Sequence, residues 1–267
     1  MTQQEHVAAV AGHSQSLERG LAILSAFKPS RPLLGVSELA RVVALSRSTT
    51  HRYVATLTTL GYLQQDAATR KYRLGPRVLD LGFSAINSME LREISAPHLR
   101  ALSDETGQTA NMAILDGADI VYIERVRREP QGETDIELDL HVGSRLPAYC
   151  TSMGKVLLAF LPERRRDELL SRVELTARGP NTIVDRAALK CELRSVRKAA
   201  VAVNNEELAY GLRSIAAPVR SQSGAVVAAI NLAVHRSPES LDELATRYTG
   251  PLRRCAGEIS ARIGFGA

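Results

Sequence analysis

Leu17, Leu21, Ile23, Leu24 and Phe27 recur at helical spacing behind a polar Ser16, and Pro29 and Pro32 follow. The pattern predicts an amphipathic helix with Ser16 as N-cap and the prolines as its stop. Residues 1–15 show no period and predict a disordered arm. Val36, Leu39, Ala40 and Val43 share one face of a second short helix. After the three-residue break Ala44-Leu45-Ser46, residues 47–60 predict a third helix with an inward stripe of Thr50, Tyr53/Val54, Leu57 and Leu60. Gly61 is its stop. The runs 62–65 and 71–74, joined by the polar stretch 66–70, predict a β-hairpin. Pro76 opens a further helix over 77–87, read as a connector, with Val78, Leu79, Leu81, Phe83 and Ile86 apolar.

Beyond residue 88 helical and alternating patterns mix. Residues 90–106 predict a helix; 111–115 and 120–126 predict two strands around the turn 116–119. A further strand is expected over 136–141, and helices over 153–160 and 185–203. The runs 213–219 and 225–235 form a second hairpin through 221–224, and 237–263 closes with a long helix. No repeat of 20–50 residues is visible. The order predicts an α+β chain with a winged helix-turn-helix over 16–75, a connector helix over 76–88 and a sheet-and-helix domain over 89–267. A length of 267 residues suits two such domains.

Composition narrows the classes. With 45% hydrophobic and 24% charged residues the chain is an ordinary globular one, neither disordered nor collagen-like. The three cysteines, at 150, 191 and 255, have neither zinc nor redox spacing, which suits a reducing, cytoplasmic setting. The polar first 20 residues suggest no secretory signal, and no apolar run reaches membrane-spanning length. Net charge is +5, and the first 80 residues carry all of it, with ten Lys or Arg against five acids. A basic module joined to a neutral one points to a polyanion partner for the first.

Helix, tight turn, helix and basic hairpin together make a DNA-reading unit, because a helix fits the major groove and presents short polar and cationic groups to base edges and phosphates. The stripe on the third helix leaves Arg47, Ser48, Thr49, His51, Arg52, Ala55 and Thr56 outward. Arg70, Lys71 and Arg73 load the hairpin wing for phosphate contacts.

Two features of the second domain suit a small anion. Cys150-Thr151-Ser152-Met153-Gly154 runs from a loop into a helix, whose first N–H groups and positive dipole end attract negative charge. Thr151 and Ser152 add hydroxyls, and Gly154 lets a ligand approach the backbone. In the strand 228–234, alternation puts Ala229, Asn231 and Ala233 on one face, and a buried Asn needs partners. An ordinary helix cap and an Asn bonded to backbone or water remain the alternatives, and Arg125, Arg127, Arg128 and Arg145, any of which could approach a second carboxylate, read as surface residues.

The runs Ser37-Glu38-Leu39-Ala40, Leu45 to Arg52, Leu60-Gly61-Tyr62-Leu63 and Tyr72-Arg73-Leu74-Gly75 resemble the N-terminal domain of IclR-type transcriptional regulators. Residues 146–159 and 210–219 resemble that family's effector-domain motifs, and the wording of 147–159 looks closest to its Pca/Pob branch. The resemblance implies a homodimer or dimer of dimers on palindromic double-stranded operator DNA, acting as repressor or activator. It implies a GAF-like effector domain and, for the branch, control of β-ketoadipate-pathway (aromatic-acid) catabolism. The family's ligand positions fall on Leu146, Ser152, Met153, Asn204, Ser214, Asn231 and Ala233. Asn204 stands where members that bind short keto acids carry an acid, and Ala233 where they carry a hydroxyl. That favours an aromatic or dicarboxylic effector, such as protocatechuate, 4-hydroxybenzoate or β-ketoadipate, with no cofactor.

Other classes fit less well. No P-loop, G-x-G-x-x-G or H-E-x-x-H is present, so an enzyme is not expected. A Cys150–His141 nucleophile pair reads better as a small buried cysteine, and the scattered histidines give no metal spacing. Two regulators of another kind stay open: one whose second domain only oligomerises, and one of a different small-acid pathway such as glyoxylate or pyruvate.

Overall fold

The computed structural model describes residues 14–28, 30–87, 90–128, 140–235 and 240–266. The chain divides into two compact units at residues 88 and 89.

The first unit holds α1 (Gln15–Ser25), α2 (Val36–Val42), α3 (Arg47–Thr59), the hairpin β1 (Leu63–Gln65) and β2 (Tyr72–Leu74), and α4 (Arg77–Asn87). Ser14, not Ser16, caps α1: its Oγ accepts from Leu17 N at 3.4 Å, and Ser16 lies inside the first turn. The predicted arm falls outside the described residues up to 13, and Gln15 is already helical. Ile23, Phe27, Leu34, Leu39, Val54, Leu63 and Tyr72 form the core. Of the α3 stripe, Thr50 and Val54 are buried and Tyr53 and Leu57 half-buried. Leu60 is 52% exposed, because the helix ends one residue before it. Leu34 exchanges both backbone hydrogen bonds with Tyr72, at 3.0 and 2.9 Å, adding a strand segment that the pattern did not predict. Two glycines close the hairpin onto α3. Gly61 has φ +79°, and a Cβ on Gly75 would lie 2.2 Å from the Gly61 carbonyl oxygen.

The second unit is a six-stranded antiparallel sheet in the order β5-β4-β3-β8-β7-β6. Its strands are β3 (Thr109–Asp116), β4 (Asp119–Val126), β5 (Arg145–Pro147), β6 (Ala202–Asn205), β7 (Leu212–Arg220) and β8 (Val226–His235). Helices α5 (Glu90–Thr106) and α9 (Leu241–Arg262) cover one face, burying Leu99, Met112, Ile215, Ile230, Leu232, Leu252 and Ile259. Helices α6 (Ser152–Phe160), α7 (Glu163–Ser171) and α8 (Arg186–Ala199) pack on the other, with Ala113, Ile120, Tyr122, Met153, Leu158, Leu189, Ala216 and Ala229. Ser240 and Glu243 cap α9 reciprocally: Ser240 N donates to Glu243 Oε2 at 2.7 Å and Glu243 N to Ser240 Oγ at 3.3 Å.

The helix predicted over 185–203 stops at Ala199, where Ala200 turns to a φ of +50°, and its tail is strand β6. Strand β5 and helix α7 were not predicted: the first has three residues, and the second reads as a run of charge. Most of the strand expected over 136–141 lies outside the described residues, and Leu140 and His141 are not in a strand. Among the described residues no helix is long and apolar enough to cross a membrane.

Candidate functional site

The surface expected to read DNA is set by the start of α3. Ser46 accepts from Thr49 N at 3.2 Å, and its hydroxyl lies 2.8 Å from Thr49 Oγ1 and 3.1 Å from Ser48 Oγ. This cap fixes the helix start and gathers three hydroxyls there. Thr50 turns inward, its Oγ1 donating to Ser46 O at 3.0 Å. Arg47, Ser48, His51, Arg52, Ala55 and Thr56 are exposed, and Thr49 is half-buried. On the wing, Asp66 accepts from both N and Oγ1 of Thr69 at 2.7 Å, which shapes the turn and holds its carboxyl below the usual range. Arg70 stands exposed at the tip with φ +60°. Two of the three wing cations have protein partners: Lys71 pairs with Glu38 at 3.2 Å, and Arg73 Nε donates to Gln64 Oε1 at 3.2 Å.

In the second unit a row of buried polar side chains crosses the sheet face under α6. Ser152, at the helix start, meets Ser214 of β7 with 2.7 Å between hydroxyl oxygens. Asn204 of β6 is opposite Ser214 and spends its side chain on backbone: Nδ2 donates to Cys150 O at 2.6 Å, and Oδ1 accepts from Glu207 N at 3.2 Å. Asn204 therefore braces the loop before α6. Asn231 and Ala233 lie on the α6 face of β8, opposite Ala216 and Ser214. Met153 is buried against the same face, and Leu146 is half-buried on β5, four strands from Ser214.

The helix start is built by sterics as well as by capping. Thr151 Oγ1 accepts from Gly154 N at 3.1 Å, so that cap hydroxyl and that N–H serve each other. A Cβ on Gly154 would sit 2.1 Å from the Ala148 carbonyl oxygen. Gly154 is thus required by the short turn Ala148–Cys150 folding back on α6, a reason different from close approach of a ligand.

Asn111 and Lys155 on this face escaped the sequence reading, and Arg125 is not the surface residue expected there but half-buried. Asn111 on β3 is opposite Asn231 and donates from Nδ2 to its Oδ1 at 2.8 Å. Arg125 on β4 is opposite Asn111 and donates from Nη1 to its Oδ1 at 3.0 Å. Strict alternation from Ile120 and Tyr122 would turn Arg125 to the α5 face. A bulge at Ile123, between the pairs Met112–Glu124 and Ala113–Tyr122, shifts the phase and turns it towards α6. Burial holds the Arg125 pKa below its usual value and raises that of neighbouring Tyr122 to about 12. Lys155, fully buried in α6, pairs with Glu207, with Glu192 at 3.1 Å and with Val203 O at 3.3 Å, tying α6 to α8 and β6. Burial raises the Glu207 pKa, and the Lys155 charge opposes that rise.

Cys150 is buried, and burial raises its thiol pKa to about 12, so it stays protonated and unreactive at neutral pH. His141 uses Nδ1 on the Val142 carbonyl, 2.9 Å away. Among the described residues no cluster of His, Cys, Asp or Glu is arranged to hold a metal.

Residues 16–67 match the IclR helix-turn-helix domain, and residues 83–261 match the bacterial transcriptional regulator IclR C-terminal family. The Pca regulon regulatory protein of Pseudomonas putida is 40% identical over 87% of this chain and 78% of its own. The protein RHA06195 of Rhodococcus sp. RHA1 superposes with a TM-score of 0.79 at 39% identity, covering 94% of this chain and 98% of that one. An IclR homolog from Microbacterium hydrocarbonoxydans, crystallised with 4-hydroxybenzoate, does so with a TM-score of 0.78 at 26% identity, over 93% and 99%. With both units matched and the helix-turn-helix and its hairpin in place, the chain belongs to the IclR family of DNA-binding transcriptional regulators.

Proposed function

We propose that the chain is an acid-responsive cytoplasmic regulator of an aromatic-acid (β-ketoadipate pathway) operon, binding a palindromic operator as a homodimer or dimer of dimers. The observation that carries the reading is the buried row Ser152, Ser214, Asn231 and Asn111 beneath the start of α6. Polar groups are costly to bury in a domain core. This row lies beside Ala216, Ala229 and Ala233, whose short side chains keep the sheet face low. Asn231 and Ser214 are diagonal neighbours on β8 and β7, about 7–8 Å apart, a span that a hydroxybenzoate or a short dicarboxylate bridges. The 40% identity to a Pca regulon protein and the 4-hydroxybenzoate complex of a relative support an aromatic acid.

In this reading Thr151, Ser152, Met153 and Gly154 supply the helix start, Leu146 and Ala233 apolar contact, and Ser214 and Asn231 hydrogen bonds, with Asn204 holding the loop. Arg47, Ser48, Thr49, His51 and Arg52 face the major groove, and Arg70, Lys71 and Arg73 the phosphates. Exposed leucines at 17, 21, 79 and 81 offer apolar surface that a second copy would cover. A purely oligomerising second domain finds support in Ser152–Ser214 and Asn204, which satisfy one another or backbone. Thermal unfolding with 4-hydroxybenzoate, protocatechuate, β-ketoadipate, pyruvate and glyoxylate separates the readings. An aromatic or dicarboxylic acid that raises the midpoint in a concentration-dependent way supports the proposal. A shift with pyruvate or glyoxylate alone moves the protein to another pathway, and no shift with any acid favours the oligomerising domain.

A further inference from the structure

Arg125 has a geometry that the rest of its row does not explain. Its Nη1 is used by Asn111, while its Nε is buried with no hydrogen-bond partner. Among the described residues no acid forms an ion pair with it, although other arginines of this unit are paired: Arg92 of α5 with Glu124, Arg128 just after β4 with Asp104 and Arg145 of β5 with Asp116. A half-buried guanidinium without an anion is costly, and an orphaned Nε–H adds to that cost. The bulge at Ile123 has the effect of turning this cation onto the face where the buried asparagines lie. Nε and Nη2 form the edge of a guanidinium that takes a carboxylate through two parallel hydrogen bonds, and here Nη1 alone is committed to protein.

We propose that Arg125 is the carboxylate-recognising residue of the effector site, with Asn111 and Asn231 holding its plane in register. The inference rests on the acid-responsive reading given above and deepens it: the ligand class is an organic acid whose carboxylate lies on the Nε–Nη2 edge of Arg125. Asn111 is the positioning residue, since its Oδ1 holds Nη1 and its Nδ2 is fixed by Asn231. The other end of the ligand, a ring hydroxyl or second carboxylate, lies towards Ser152 and Ser214.

The test is calorimetric titration of the full-length protein with 4-hydroxybenzoate, β-ketoadipate and the neutral isostere 4-hydroxybenzamide. Wild type binds at least one of the two acids. If that acid is 4-hydroxybenzoate, it binds roughly 10–100-fold tighter than the amide, as a charge-assisted pair lost to a neutral group predicts. Arg125→Met loses a similar factor for the acid and, where the amide comparison applies, brings acid and amide within about threefold, while Arg125→Lys recovers part of the loss. A merely structural role for Arg125 would weaken acid and amide together and leave their ratio intact. For β-ketoadipate the Lys rescue takes the place of that ratio. Wild-type binding of an acid that Arg125→Met leaves unchanged overturns the assignment and spares the acid-responsive reading. Failure of the wild type to bind either acid removes both. If Arg125→Met does not fold, the wild-type acid-to-amide ratio and the Lys variant decide alone: a ratio near one, or an inert Lys substitution, overturns the assignment.

Discussion

The hydroxyls of Ser152 and Ser214 stand 2.7 Å apart, one at the first residue of α6 and the other on β7, and both are buried. Each satisfies the other, so replacing one leaves its partner unpaired. Ser152→Ala is expected to cost about 1–3 kcal/mol of stability. Ser152→Glu puts a carboxylate where an acid is proposed to bind and should weaken acid binding at least roughly tenfold, as should Asn231→Leu. Calorimetric titration checks this; unchanged affinity in both variants would place the effector elsewhere.

The cations of the reading surface should separate by role. Arg47 stands exposed at the start of α3, and Arg47→Ala is expected to cost about 1–3 kcal/mol per half-site on a specific operator and less on random DNA, if it reads a guanine. Arg70→Ala at the wing tip should weaken binding evenly across sequences and lower the salt slope by about 0.9. Lys71→Ala should lower it less, because Glu38 already neutralises that ammonium in free protein. Anisotropy titrations at four salt concentrations supply the slopes. Equal losses for Arg47→Ala on operator and random DNA would make Arg47 a phosphate contact.

In each unit a glycine sits where backbone leaves no room for a side chain. Gly75→Ala and Gly154→Ala would place a methyl 2.2 and 2.1 Å from the carbonyl oxygens of Gly61 and Ala148. Both should destabilise by about 1–3 kcal/mol or more, because backbone has to move. Hydrogen exchange should locate the loss in the hairpin for the first and in α6 for the second. Protection unchanged from wild type in both would mean that the backbone yields freely there.

Acid should loosen the first unit. Glu38 is held below the usual carboxylate range by the Gly35 N–H, 2.7 Å away, and then by Lys71; Asp66 is held down by Thr69. With folded values below unfolded ones, the unfolded chain takes up protons first. Their contribution is therefore complete above the unfolded values of about 4 and lost as pH falls through the folded ones. Thermal midpoints between pH 7 and 3 should fall less steeply for Glu38→Gln than for wild type. Parallel curves would show that Glu38 has no part in the acid sensitivity.

Where local pattern and chemistry agree, the fold could be read from the chain. Leu17 to Phe27, the three-residue break before Arg47, and Gly61 before the hairpin each carry their own signal, and α1, α3 and the wing followed. So did the alternation that put Asn231 on one face of β8. Non-local geometry was not readable. The bulge at Ile123 reverses the face of Arg125, and no residue in β4 announces it. Asn111 was read as ordinary strand because its partners, Asn231 and Arg125, come from strands distant in sequence. Lys155 carries no signal of its own in the helix pattern, because Glu207 and Glu192 meet it from the segment after β6 and from α8. For Gly154 the residue was noticed but its reason was not, since the crowding comes from Ala148, six residues earlier.

The most direct test of acid-responsive DNA binding is fluorescence anisotropy on DNA from the neighbouring promoter, at fixed salt, with and without 4-hydroxybenzoate, protocatechuate and β-ketoadipate. The account predicts tight, sequence-dependent binding that one of these acids shifts, by about 5–150-fold for a coupling of 1–3 kcal/mol. Sequence-dependent binding that no acid alters would contradict it.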